Sequence, residues 1–177
     1  MKRTITTLAF VLGATAIAAA ADLPSKTAPA APIFTQSTYY AGVNLGANND
    51  KNRVYTGGIV AGVNVLPYLA VEAAYDFGYP KDKTGGKREY THEVAGNVLP
   101  QYKVTGTDFT VYGLGGVGYK WDSIAVDHAF YNVGGGLKYD LSKTIELDGR
   151  YRYSEAIDSK KYKGDDQRLT FGVNYKF

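Results

Sequence analysis

The sequence predicts an all-β chain folded as an eight-stranded antiparallel up-and-down transmembrane β-barrel. Three observations predict it. Segments of period-2 alternation recur from residue 37 to the end of the chain, the mark of strands with one apolar and one polar face. Turn-forming or charged stretches separate them, with Pro67, Pro80 and Pro100 read at strand ends, where a missing N–H breaks no ladder bond. The 16 Tyr, 7 Phe and 21 Gly among 177 residues suit strands whose rings sit at a water–lipid boundary and whose glycines ease curvature.

The first strand, Thr38–Ala47, sets Tyr39, Ala41, Val43 and Leu45 against Tyr40, Gly42, Asn44 and Gly46. After the polar loop 48–52, Tyr55–Val65 opposes Ile59, Ala61, Val63 and Val65 to Gly58, Val60, Gly62 and Asn64, and Leu66-Pro67 turns the chain. Tyr68–Tyr79 places Leu69, Val71, Ala73, Tyr75 and Phe77 opposite Ala70, Glu72, Ala74 and Asp76. A basic outer loop follows, carrying Lys81, Lys83, Lys87 and Arg88. The fourth strand starts near Tyr90 and is expected to stop at Pro100, with a connection through Gly106 longer than an ordinary turn. Phe109–Trp121 has mixed faces, because Tyr112 and Leu114 oppose the main apolar set; a bulge among Gly113, Gly115, Gly116 and Gly118 would account for that. His128–Tyr139 and Thr144–Ser154 alternate again, the latter with Ile145, Leu147, Tyr151 and Tyr153 against Glu146, Asp148, Arg150 and Arg152. The charged loop 155–166 leads to the closing strand Leu169–Phe177.

If the first strand runs outward, Tyr39, Phe109, Tyr139, Tyr175 and Phe177 gather at one rim. Tyr55, Phe77, Tyr79, Tyr90, Tyr119, Trp121, Tyr131, Tyr151 and Tyr153 gather toward the other, and two aromatic girdles are what lipid asks of a barrel. The polar faces would point Glu72, Asp76, Glu93, Glu146 and Asp148 inward together with Lys120, Lys138, Arg150, Arg152, Arg168 and Lys176. An eight-stranded interior is only wide enough for side chains to fill, and buried charges there must pair. A plugged lumen with an ion-pair network is therefore expected, without a wide pore. The lipid-facing sets contain no Lys or Arg, each of which would cost about 2–4 kcal/mol at mid-membrane.

The start of the chain reads as an export signal, residues 1–21. Lys2 and Arg3 precede a short apolar run, and Ala19-Ala20-Ala21 offers a cleavage site. Residues 22–36 are a Pro/Ala-rich periplasmic tail, and 37–177 form the barrel. Removing Lys2 and Arg3 leaves 18 basic against 17 acidic residues, a balance that argues against a nucleic-acid partner. With no cysteine there is neither a lipoprotein signal nor a disulfide. A barrel on an exported chain places the protein in the bacterial outer membrane. Outer-membrane lipid and lipopolysaccharide are then its partners, and the basic loop would face lipopolysaccharide phosphates.

Five stretches carry a resemblance: A-D-L-P-S-K at 21–26, G-G-V-G-Y at 115–119, V-G-G-G-L-K-Y at 133–139, L-D-G-R-Y-R-Y at 147–153 and the ending G-V-N-Y-K-F. In these the chain resembles the small outer-membrane β-barrel (opacity or porin-like) family of alphaproteobacteria and relatives, which includes hemin-binding surface proteins. The resemblance implies a surface or structural protein, with adhesion, solute passage or hemin binding attributed to some members. The terminal strand ending at Phe177 is expected to engage the outer-membrane assembly machinery.

No catalytic, cofactor or metal site is expected. Gly113-Leu114-Gly115-Gly116-Val117-Gly118 matches G-x-G-x-x-G, but strand rather than helix follows it. Ser123, Asp127 and His128 are close in sequence, yet the H-x-S arrangement associated with lipid A deacylase barrels is absent, and polar loop residues account for them better. Hemin ligation would fall to His128, His92 or Tyr162, although a tyrosine near a loop is ordinarily a girdle residue. The reading is a non-enzymatic outer-membrane barrel with a structural or surface-interaction role. A narrow porin-like channel for small solutes, or a hemin- or host-ligand-binding surface protein, is the alternative.

Overall fold

The computed structural model describes residues 38–48, 55–79, 90–122, 127–157 and 165–177. The signal, the tail, the basic loop 80–88, Ser123 and Tyr162 lie outside the described residues. Eight strands follow one another: β1 (Thr38–Asn48), β2 (Tyr55–Leu66), β3 (Leu69–Tyr79), β4 (Thr91–Lys103), β5 (Phe109–Asp122), β6 (His128–Asp140), β7 (Ile145–Ala156) and β8 (Asp165–Lys176). Each pairs antiparallel with its neighbours in sequence, and β1 pairs with β8 to close the barrel. Following partners from Thr38 through Asn64, Ala70, Leu99, Leu114, Gly134, Arg152 and Arg168 returns to β1 at Asn48, ten residues beyond the start. Eight strands with that stagger are strongly tilted and leave room inside for side chains alone.

The alternation of the sequence becomes two surfaces. On β7 the odd-numbered residues face out and the even-numbered ones are buried to the end of the strand. Outside stand Val43, Leu45, Ile59, Val71, Val98, Leu137 and Val173, all exposed large apolar side chains. Such a surface is tolerable only against hydrocarbon. Rings mark both edges of this band. Phe109 lies 4.8 Å from Tyr139 and Tyr175 5.2 Å from Phe177 at the end with short turns. At the other end Tyr119 lies 5.1 Å from Trp121 and Phe77 5.9 Å from Tyr90.

Four details depart from the sequence reading. Pro100 is inside β4, which runs on to Lys103. The N–H of Gln101 bonds Tyr68 on the β3 side, so the nitrogen of Pro100 points the opposite way, and its ring lies beside Gly113 of β5. The β4–β5 connection is consequently a short turn, Val104–Asp108, closed by Thr107 N–H to Val104 O, with Gly106 at φ 77°. β5 has no bulge: its register is continuous with β4 and with β6. Tyr112 and Leu114 simply point inward, where they form an apolar cluster with Ala70 and Leu99. The one register shift is at the β2–β3 turn, between Asn64 and Leu66. Finally, β8 begins at Asp165 rather than Leu169, so the loop before it is shorter than expected.

Candidate functional site

The polar faces meet in the lumen, and β7 supplies its axis. In L-D-G-R-Y-R-Y the residues Asp148, Arg150 and Arg152 are two apart, so a strand aims all three the same way. β3 does the same with Glu72 and Asp76. Arg150 reaches across to Glu72 with a two-point pair, Nη1 to Oε1 at 2.6 Å and Nη2 to Oε2 at 2.9 Å. Its Nη2 also meets Asp148 Oδ2 at 2.8 Å, and its Nε donates to Tyr112 Oη at 2.9 Å. Tyr112 donates to Asp148 at 2.6 Å, and Tyr40 donates to Glu72 Oε2 at 3.1 Å. Glu72 is only 2% exposed; a carboxylate so buried needs a partner of this geometry.

A second layer lies toward the long connections. Arg152 Nη2 meets Asp76 at 2.9 Å and Glu93 at 2.5 Å. Arg168 joins the same two acids at 3.1 and 3.0 Å and adds Asp166 at 3.0 Å. Lys120 stands 4.0 Å from Asp166. Toward the short turns, Lys138 meets Glu146 at 3.4 Å, and Asn174 donates to Glu146 at 3.0 Å. At the mouth on that side, Lys176 and Lys103 hold Asp140 at 2.6 and 2.7 Å. Among the described residues the ion pairs join seven acids to seven bases, so the lumen is neutral.

The structure brings Glu72, Asp148 and Arg150 into one cluster, and Asp76, Glu93, Lys120, Arg152 and Arg168 into another. Lys138, paired with Glu146, adjoins the first cluster with its Nζ 5.5 Å from the Tyr112 ring, and Lys176 sits apart at the mouth. Asp140, Asp166 and Lys103 belong to the lumen although the sequence reading left them in turns or loops. Extending the parity of β6, β8 and β4 to their true ends would have found them. Phe130, 2% exposed, was missed as well; its ring covers Gly118, directly opposite on β5.

The two histidines are on opposite sides of the wall. His92 faces outward: its Nδ1 is 2.7 Å from Tyr75 Oη, and its ring is 5.2 Å from Phe77. His128 pairs in the ladder with Lys120 and shares the inward parity of Phe130. Asp127 is exposed beside it. Girdle tyrosines also satisfy outward polar groups, Tyr131 and Tyr153 donating to Glu155 and Tyr151 to Gln167 at 3.1 Å.

Residues 6–177 match the family model of the outer membrane protein beta-barrel domain. No curated protein matches the chain. Among solved structures, neisserial surface protein A superposes with a TM-score of 0.64 at 14% identity, covering 80% of this chain and 97% of that one. Ail, the attachment invasion locus protein of Yersinia pestis, gives 0.55 at 13% identity over 80% and 97%. The outer membrane enzyme PagL gives 0.51 at 13% identity over 78% and 98%. At such identities the likeness speaks to the fold alone.

Proposed function

The chain belongs to the outer membrane protein β-barrel domain family, and we propose that this outer-membrane barrel has a structural or surface-interaction role, with a lumen closed by paired charges. The observation that carries the reading is Arg150 crossing the lumen to Glu72, backed by the second layer of Arg152 and Arg168 on Asp76 and Glu93. Charges held this way act as struts: moving one aside to admit a solute leaves its partner buried and unpaired, at a cost of several kcal/mol.

Refolded protein in planar bilayers provides the test. Its expected behaviour is the absence of unitary current steps over a range of voltages. Reproducible steps would establish the rival reading, a narrow channel for small solutes.

A further inference from the structure

The two charge clusters of the lumen are separate. Among the described residues no ion pair runs from Glu72, Asp148 and Arg150 to Asp76, Glu93, Arg152 and Arg168. A gap with room for about one water molecule touches both. Arg150 of one cluster and Asp76 and Arg152 of the other line it, together with Asn44, Val60, Ala74 and Thr170. The gap does not continue along β1 and β2: Asn174 fills the space over Gly42, Thr170 that over Gly46 and Asp76 that over Gly58.

Among the described residues every ion-pair partner comes from β3–β8, so β1 and β2 bring neutral groups to the lumen. One of these is orphaned: Asn44 Oδ1 is buried without a hydrogen-bond partner among the described residues. A buried amide oxygen is costly to leave unpaired, and in a polar site of sufficient size water satisfies it. The lining offers a water molecule what it needs. Asn44 Oδ1 and the Asp76 carboxylate accept, the guanidinium groups of Arg150 and Arg152 donate, and the Thr170 hydroxyl serves either way. A buried water makes about three such bonds. A bare ion suits the place less: Asp76 and Asn44 Oδ1 would repel an anion, and the two guanidinium groups a cation.

We propose that this gap is a binding site for a single resident water, which donates to Asn44 Oδ1 and links the Arg150 cluster to the Arg152 cluster by hydrogen bonds. The inference rests on the closed-lumen reading, since an open lumen would exchange its water freely. It goes further in giving β1, which carries no ion pair, a part in joining the two charge layers.

Nuclear magnetic resonance of the refolded protein in detergent micelles tests this, with heat-modifiable gel migration certifying the fold. The readout is Overhauser contact between water and the methyl protons of Val60 and Ala74. Wild type is expected to show contacts of the sign that marks a long-lived water, unchanged when buffer chloride is replaced by sulfate. Thr170→Val, which removes the one hydroxyl of the lining able to relay such a contact, should keep them. Val60→Ile, which sets a further methyl group against the gap, should abolish the contact at Ala74 and lower the urea midpoint, because Asn44 Oδ1 is then stranded. Absence of the contacts in wild type, their loss in Thr170→Val or without chloride, or a raised midpoint for Val60→Ile overturns the site. The wild-type measurement decides even if neither variant folds. Current steps from wild type in planar bilayers overturn the closed-lumen reading itself, whereas a silent wild type without the long-lived water overturns only the site.

Discussion

Arg150 shows how a buried charge in a lumen is both a strut and a vulnerability. It holds Glu72 and Asp148 and receives no help from solvent. Arg150→Met is expected to lower stability by about 3–5 kcal/mol, because two carboxylates lose their cation in a low-dielectric interior. The Glu72→Gln/Arg150→Met double variant should lose less than the single, since it removes an acid together with the base. Urea unfolding in lipid vesicles measures both, and equal losses would refute the strut. Lys103, 56% exposed on its side chain, is the contrasting case: its pair with Asp140 is worth at most about 1 kcal/mol. At this scale the sequence was a partial guide. Alternation put Glu72, Arg150 and Arg152 on one face, but parity says nothing of which acid meets which base, since that depends on neighbours brought together by ring closure. Nor could it decide that Tyr112 and Leu114 point inward by ordinary alternation, because two apolar residues on the polar face look the same as a bulge.

Strands here answer to two solvents at once, and that is why they were legible. Outward positions in the middle of the band are sampled by hydrocarbon and inward ones by a crowded lumen, so the buried ion pairs keep to the inner face and the exposed aliphatic side chains to the outer. β1 allows a direct check. Val43 is 61% exposed midway along the strand, and Ala47 is exposed near its loop end. Val43→Arg should destabilise the folded barrel by roughly 2–4 kcal/mol, and Ala47→Arg by about 0–1 kcal/mol, following the depth dependence of charge in a bilayer. Similar values for the two in vesicle unfolding would mean that this face does not meet hydrocarbon. Strand ends were the weak point of the sequence reading. Pro100 looked like a terminator because proline removes a donor. It is accommodated because its nitrogen is turned from β3 toward β5, where the β4–β5 ladder is interrupted between Val98 and Gln101. Asp140, Asp166 and Lys103 escaped notice for a related reason: charged residues near turns resemble loop, although the ladder continues through them.

The whole molecule is a closed cylinder with no free sheet edge, so it should unfold as one unit. Boiled and unboiled samples are expected to migrate differently on a detergent gel, and identical migration would contradict a closed, detergent-resistant barrel. Closure itself was legible only indirectly, through the count of eight segments and the rings at two levels. The ten-residue stagger was not, because register between distant ends of a chain leaves no local trace. The one-sided placement of charge has a consequence for how such a cylinder comes together. Among the described residues, both members of every ion pair reside on β3–β8. A six-stranded ribbon of those strands already carries a neutral concave side. Its two edges, β3 and β8, carry Asp76 and Arg168, so curling the ribbon into a tube is also what lets these charges meet, and β1 and β2 then complete the wall between them.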